Sequence, residues 1–246
     1  MMAKRKVLVL QNEEEWKRYL LEAFEDTSSK PQMVETAQEI LPLIRQGNPD
    51  MIFANGRLLT PPVIAAIRVR RASNQNFRLF GLGDGMKGNP AFPFDETFKD
   101  IPLGLYEFQR RLVEHVPLPD PIHLLVVDDE PQIGDMFREY FDRRTDPAFR
   151  LRTTSNGLEA QKEIQKSLPH VMVLDIKMPK QDGRELYGEL KKRGLLPPTI
   201  VFFDAVSVDE VIEIRRLGNL AFVEKGSRSS SMPEMSALIK KIAFFG

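Results

Sequence analysis

Short runs of apolar, strand-forming residues alternate along this chain with longer windows in which apolar residues recur at helical spacing. That alternation is typical of βα units, in which parallel strands form a sheet with helices on both faces. The pattern occurs twice, which predicts an α/β protein with two domains. In the first half it predicts strands at 5–10, 31–35, 50–54 and 77–81 and helices near 13–26, 36–46, 60–72 and 103–115. In the second half it predicts strands at 122–127, 149–153, 170–174, 199–203 and 220–223 and helices near 130–143, 156–167, 182–193, 207–216 and 233–243.

A proline-rich segment separates the two halves. Residues 116–121 read VPLPDP, and prolines at this density cannot continue a helix and favour an extended, fairly stiff connection. We place the domain boundary there, with one domain at 1–117 and the other at 118–246. In a chain of 246 residues, each domain is long enough to bury a core of its own.

Composition narrows the range of functions. Hydrophobic residues make up 42% of the chain and charged residues 28%, and no apolar run approaches the roughly 20 residues of a membrane span. Cysteine is absent, which excludes disulfides and thiolate metal sites. Lys plus Arg and Asp plus Glu both total 35, so the chain lacks the net positive charge typical of nucleic-acid binders. We expect a cytoplasmic protein whose partners are proteins, not nucleic acid or membrane.

The two halves align as an internal repeat. PDMIFAN at 49–55 lies over PHVMVLD at 169–175, 120 positions later, so the repeating unit is a whole domain. The copies differ in three carboxylates at strand ends, which amides replace in the first half. The second half has Asp128, Asp129 and Asp175, and the first half has Gln11, Asn12 and Asn55.

The carboxylates of the second half are predicted to converge. The functional crevice of an open parallel sheet lies beyond the carboxyl ends of its strands, where Asp128 and Asp129 end the first strand and Asp175 ends the third. Carboxylates that lie so near to one another repel unless a cation compensates their charge. Mg²⁺ suits such a site because it takes oxygen ligands. Lys225, after the last strand, can pair there with Asp175 or with a phosphoryl group on it. The chemistry implied is phosphorylation of an aspartate.

Three stretches carry a resemblance to a known family. VVDDE at 126–130, VLDIKMPKQDG at 173–183 and AFVEKGS at 221–227 resemble the receiver domain of two-component response regulators, over residues 121–246. The resemblance implies a flavodoxin-like (βα)5 fold with a five-stranded parallel sheet. It also implies that a sensor histidine kinase or a phosphotransfer protein supplies a phosphoryl group.

The same resemblance implies a set of metal ligands. By motif, Asp175 would be the phosphoacceptor and Asp129 would bind Mg²⁺ directly. Asp128 would hold the metal through water, and the backbone carbonyl of Lys177 would complete the protein ligands.

One position departs from the family pattern. The resemblance makes Lys225 the conserved lysine of the last strand and Phe222 the switch aromatic, but the family's Thr or Ser at the end of the fourth strand is Asp204 here. An ionised carboxylate donates no hydrogen bond and repels an incoming phosphoryl anion. We therefore expect Asp204 either to weaken or shorten phosphorylation, or to hold this face in one state regardless of it.

Residues 4–116 resemble a degenerate receiver with the same fold. Because Gln11, Asn12 and Asn55 are neutral, we expect neither an effective Mg²⁺ site nor phosphotransfer there. GLGDGMKGNPAFP at 81–93 is predicted to be a plain loop, because it lacks the Lys-Ser/Thr of a P-loop.

The leading hypothesis is a response regulator built from a pseudo-receiver and a receiver, without an output domain and without enzymatic activity beyond its own phosphorylation and dephosphorylation. Its output would be contact with an unknown protein through the fourth helix, fifth strand and fifth helix of the second domain, a face that could also form a homodimer.

One alternative is a phosphorylation-independent scaffold of two receiver-like domains, which Asp204 favours. Another is a Mg²⁺-dependent phosphatase of the haloacid-dehalogenase kind, although its DxD pattern differs from the adjacent Asp128-Asp129. Helix capping could account for one aspartate of that pair, but it does not account for both together with Asp175.

Overall fold

A computed structural model gives the structure of residues 4–83, 94–102, 104–204 and 220–246, with residues 212, 216 and 218. The chain folds into two compact units, which we call the first unit (2–117) and the second unit (118–244). No helix in the described ranges is both long enough and apolar enough to cross a membrane.

The first unit contains a five-stranded, all-parallel sheet. Its strand order is β2-β1-β3-β4-β5, which is the flavodoxin-like order. The strands are β1 (Val7–Leu10), β2 (Gln32–Val34), β3 (Met51–Asn55), β4 (Arg78–Leu82) and β5 (Glu96–Phe98). The helices are α1 (Glu14–Ala23), α2 (Ala37–Gly47), α3 (Pro61–Ser73) and α4 (Leu105–Val113).

The second unit repeats this plan. Its sheet is also all-parallel, and the order β7-β6-β8-β9-β10 corresponds to that of the first sheet. The strands are β6 (Ile122–Val127), β7 (Phe149–Thr154), β8 (Val171–Leu174), β9 (Thr199–Phe203) and β10 (Ala221–Glu224). The described helices are α5 (Pro131–Phe141), α6 (Gly157–Lys166), α7 (Gly183–Lys192) and α8 (Met232–Phe245).

The central strands of the second sheet are buried on both faces, as expected for a parallel sheet covered by helices. Successive residues alternate between two cores: Leu124 and Val126 pack into one, and Leu125 and Val127 into the other. This alternation leaves polar side chains only at the strand ends, where the backbone leaves the sheet.

The predicted fold class is confirmed for both halves. One strand that the pattern of the first half did not predict is β5, Glu96–Phe98, because it is only three residues long and has a single buried side chain, Phe98. The predicted loop at 81–93 lies outside the described residues from 84 onwards. So does almost all of the helix predicted near 207–216, which belongs to the expected docking face.

Two histidines lie together at the amino end of the second sheet, opposite the strand carboxyl ends: His123 is in β6, and His170 directly precedes β8. The backbone N–H of His123 donates to Nδ1 of His170 at 3.0 Å, and the two ring centres are 5.0 Å apart. Burial lowers the pKa of both imidazoles, and the charges of Arg150 and Arg152 lower the pKa of His123 further. The folded unit therefore favours two neutral histidines.

We expect acidification to weaken the second unit at this pair. A histidine whose pKa is lowered by folding contributes its full stability above its unfolded pKa of about 6.5, and this contribution is lost as the pH falls below that value. Replacing His170 with Asn keeps an acceptor for the His123 N–H and removes the group that binds a proton. In urea unfolding between about pH 7.5 and pH 5.5, wild type should lose ~1 kcal/mol more than His170→Asn, roughly the value of the hydrogen bond that protonation breaks. Equal losses in the two proteins would contradict this reading.

Candidate functional site

Four of the polar side chains predicted to form a site meet at the carboxyl edge of the second sheet. Asp128 follows β6, Asp175 follows β8, Asp204 follows β9, and Lys225 follows β10. Backbone hydrogen bonds hold these ends in register: the N–H of Asp175 donates to Val127 O at 2.8 Å, and the N–H of Lys225 donates to the carbonyl at the end of β9 at 2.7 Å. Sheet register thus brings together residues that lie up to 97 positions apart in the chain.

Two of the carboxylates also shape the backbone. Asp128 Oδ1 accepts the N–H of Glu130 at 3.0 Å, and Asp175 Oδ1 accepts the N–H of Lys177 at 3.1 Å. Each aspartate therefore closes a turn onto the residue two positions later, as Asp side chains commonly do. The N-cap residue of α5 is Glu130, so helix capping does not account for Asp128. The turns leave one oxygen of each carboxylate directed away from its own backbone.

Lys225 lies among four carboxylates. Its side chain is only 8% exposed, and its Nζ lies 2.9 Å from Glu130 Oε1, 3.0 Å from Asp128 Oδ2 and 3.1 Å from Asp175 Oδ2. Asp204 Oδ2 is 3.7 Å away. With all four acids ionised, a single ammonium leaves this group of side chains with a net negative charge of three. The site is thus built to attract a further cation.

The pKa values of these groups follow from burial and from Lys225. Burial raises the pKa of Asp128 to about 6, against the opposing effects of the Glu130 N–H and the lysine, and it raises the pKa of Asp175 as well. Burial alone would lower the pKa of Lys225, but its hydrogen bond to Glu130 and the charges of Asp128 and Asp175 outweigh that effect and raise it. Lys225 therefore remains charged, and Asp128 takes up a proton at a higher pH than an ordinary aspartate does.

The remaining predicted residues lie around this centre. Asp129 is exposed and does not belong to the group of carboxylates whose oxygens lie within 4.8 Å of one another. Lys177 is exposed and contributes its N–H to the Asp175 turn. Phe222 is half-buried on β10, with its ring 6.4 Å from that of Phe203. Their roles as metal ligands and as switch aromatic stay predictions.

Sequence reasoning missed Glu130. Among the described residues, its carboxylate forms with Asp128 and Asp175 the group whose ligand oxygens all lie within 4.8 Å of one another, and its hydrogen bond to Lys225 lowers its own pKa. A signal was available, because Glu130 directly follows the aspartate pair and Glu13 holds the same position after Gln11-Asn12 in the first half.

The first unit forms the same turns with amides. Gln11 Oε1 accepts the N–H of Glu13 at 3.1 Å, and Asn55 Oδ1 accepts the N–H of Arg57 at 3.1 Å. The Asn55 amide also donates to Gln11 Oε1 and to Glu13 Oε1, each at 3.1 Å. Gln11 and Asn55 are buried. The amides thus preserve the backbone geometry of the strand ends and bond to each other where the second unit gathers charge.

Comparison with known proteins supports the same assignment for the second half. Residues 124–237 match the response regulator receiver domain. The chain is 32% identical over 114 residues to protein-glutamate methylesterase/protein-glutamine glutaminase 2 of Koribacter versatilis, covering 46% of this chain and 31% of that protein. It is 33% identical over 103 residues to response regulator SaeR of Staphylococcus aureus, covering 42% of this chain and 43% of that protein. The chain therefore spans less than half the length of either relative.

Among solved structures, the receiver domain of Francisella response regulator 1452 is similar at 24% identity and a TM-score of 0.42, over 48% of this chain and 96% of that one. The assignment itself depends on the sequence match and on the strand-end aspartates. Residues 124–237 therefore belong to the response regulator receiver domain family, as the three motifs predicted.

Proposed function

We propose that the second unit is a phosphoacceptor in which Asp175 receives a phosphoryl group from a sensor histidine kinase or a phosphotransfer protein. The observation that carries this proposal is the Lys225 ammonium, which lies 3.1 Å from Asp175 and 3.0 Å from Asp128. A carboxylate fixed beside a buried cation can attack phosphorus, because the positive charge stabilises the transferring group.

The surrounding oxygens fit Mg²⁺. Asp128 Oδ2 is buried and, within the described part of the chain, accepts no aligned hydrogen bond, and it meets Lys225 only as an ion pair. Asp128, Glu130 and Asp175 each bring one oxygen within 4.8 Å of the others, and Mg²⁺ takes such ligands while keeping several waters. Asp129 and the backbone carbonyl of Lys177 are proposed as further ligands. When bound, the metal would neutralise charge on the transferring group.

For the first unit we propose a pseudo-receiver that binds partners and does not accept a phosphoryl group. Asn55 has no carboxylate, and its amide is engaged by Gln11 and Glu13. Signalling would then be by protein contact, with the second unit as the part whose state changes.

Asp204 favours a second candidate function, a scaffold that binds its partners regardless of phosphorylation. Its carboxylate lies 3.7 Å from Lys225 and so adds an acidic side chain to this edge whether or not Asp175 is phosphorylated. If Asp175→Asn leaves affinity for an isolated partner unchanged, the scaffold is supported; a loss of affinity in that variant favours the phosphorylation switch.

Incubation with Mg²⁺ and acetyl phosphate tests the phosphoacceptor proposal. Wild type should gain the mass of one phosphoryl group in intact-protein mass spectrometry, and Asp175→Asn should gain none, because an amide offers no nucleophilic carboxylate. Addition of a chelator should suppress the gain in wild type, since the metal would be removed. A wild type that stays unmodified under conditions that phosphorylate an ordinary receiver would contradict the proposal.

A further inference from the structure

We infer that Asp204 limits both the yield and the lifetime of the phosphoryl group on Asp175, so that this receiver is a short-lived phosphoacceptor. The inference rests on the proposed function of Asp175. It starts from the position of the Asp204 carboxylate, which lies 3.7 Å from the ammonium that Asp175 also contacts.

The first step concerns the donors of Lys225. An ammonium has three N–H donors, and here it has four carboxylates around it. A phosphoryl group on Asp175 must therefore compete for Lys225 with the resident acids. Glu130 holds the lysine at 2.9 Å and Asp204 is within reach. The lysine is thus divided among acceptors before any phosphoryl group arrives.

The second step concerns charge. On phosphorylation, an oxygen of Asp175 forms a bond to phosphorus while the phosphorus–oxygen bond of acetyl phosphate breaks and acetate leaves. The group at Asp175 thereby changes from one negative charge to about two. Asp204 adds a further negative charge beside the same lysine, and it has no hydrogen to donate to a phosphoryl oxygen when ionised. Its presence therefore destabilises the phosphorylated state relative to the free one.

The size of the effect is set by exposure. The Asp204 side chain is 65% exposed, so water and salt screen its charge far more than those of Asp128 and Asp175. Removing the Asp204 charge should raise the phosphorylated fraction and its half-life roughly three- to tenfold.

The phosphoryl group is lost by hydrolysis. A water oxygen bonds to phosphorus, the bond between phosphorus and the Asp175 oxygen breaks, and the water's proton leaves with phosphate or solvent.

Asp204→Asn keeps the shape of the side chain and removes its charge, Asp204→Thr supplies a hydroxyl, and Asp204→Glu keeps the charge. Asp142→Asn is a matched control, because Asp142 is an exposed acid at the far end of α5. Each protein is incubated with Mg²⁺ and acetyl phosphate, and the donor is then removed while intact mass is followed. In parallel, Mg²⁺ binding is measured by calorimetry.

The expected result has opposite signs in the two measurements. Asp204→Asn and Asp204→Thr should gain roughly three- to tenfold in phosphoryl yield and half-life and lose about threefold in Mg²⁺ affinity, because one nearby carboxylate is gone. Asp204→Glu, which keeps the charge, should show no gain in phosphoryl yield or half-life, and Asp142→Asn should match wild type. A folding defect would lower both quantities together.

If wild type and Asp204→Asn are phosphorylated equally and decay equally, the inference is overturned while the phosphoacceptor proposal stands. If neither protein is modified, both the inference about Asp204 and the phosphoacceptor proposal are contradicted. A wild type that is barely modified beside a clearly modified Asp204→Asn would be strong support.

Discussion

Replacing Lys225 with Met is expected to lower the free energy of unfolding of the second unit by ~3 kcal/mol at neutral pH, and to abolish phosphorylation of Asp175. Met has a similar length but no charge, so the variant leaves Asp128 and Asp175, both almost completely buried, without their cation. Breaking a buried pair by removing one partner costs more than the pair itself contributes, because an uncompensated charge remains in the interior.

This cost should depend on pH and on Mg²⁺. Burial already raises the pKa of Asp128 to about 6 with Lys225 in place, and loss of the lysine will raise the pKa further. Protonation below that value removes the buried charge, so the deficit of the variant should shrink as the pH falls towards about 5. Millimolar Mg²⁺ should also reduce the deficit, because a ligand that binds only the folded state stabilises it.

Urea unfolding followed by far-UV circular dichroism measures this effect. Trp16 is the only tryptophan of the chain and lies in the first unit, so its fluorescence follows that unit and should not change. Lys99→Met is the matched control, because Lys99 is exposed directly after β5, at the position that corresponds most nearly to Lys225. A Lys225→Met protein as stable as Lys99→Met in the absence of Mg²⁺ would contradict the buried carboxylate cluster.

The second large effect is expected at Gly183, the first residue of α7. A Cβ at this position would overlap the backbone oxygen of Asp175 and would lie 2.9 Å from the Cα of Ile176. These are backbone atoms, so a flexible side chain cannot relieve the overlap. The Gly183 N–H also donates to Ile176 O at 2.9 Å, which fixes the helix start against the turn that carries Asp175.

Gly183→Ala should therefore cost ~3 kcal/mol of unfolding free energy and displace the Asp175 turn, with a matching loss of phosphoryl yield. Gly188→Ala is the control in the same helix. No atom of the described residues lies within 4 Å of a Cβ at Gly188, so that change should stabilise α7 by up to about 1 kcal/mol through helix propensity alone. A Gly183→Ala protein as stable as Gly188→Ala would show that the close approach at Gly183 is not a constraint.

Much of the second unit could be predicted because its strands are continuous apolar runs that end on polar residues. The bounds of β6 and β9 agree with the predicted ones, at Ile122–Val127 and Thr199–Phe203. The convergence of Asp128, Asp175 and Lys225 could also be predicted, since parallel strands bring their carboxyl ends to one edge of a sheet.

Side-chain direction could not be predicted in the same way. Asp129 and Glu130 are neighbouring acids after β6, and the sequence does not indicate which of them faces Lys225. The backbone turn that Asp128 closes directs Glu130 towards that lysine. The sequence identifies Asp204 as a departure from the family pattern, but only the structure shows that its carboxylate lies 3.7 Å from the Lys225 ammonium. In both cases a contact between distant strands decides the geometry.

The most direct measurement of the central claim is to locate the phosphoryl group. Wild type treated with Mg²⁺ and acetyl phosphate is reduced with borohydride, which converts an aspartyl phosphate to homoserine, and the peptides are sequenced by mass spectrometry. Homoserine should appear at position 175 and nowhere in residues 2–117, and it should be absent from Asp175→Asn. Homoserine at another aspartate, or in the first unit, would contradict the assignment of Asp175 as the phosphoacceptor.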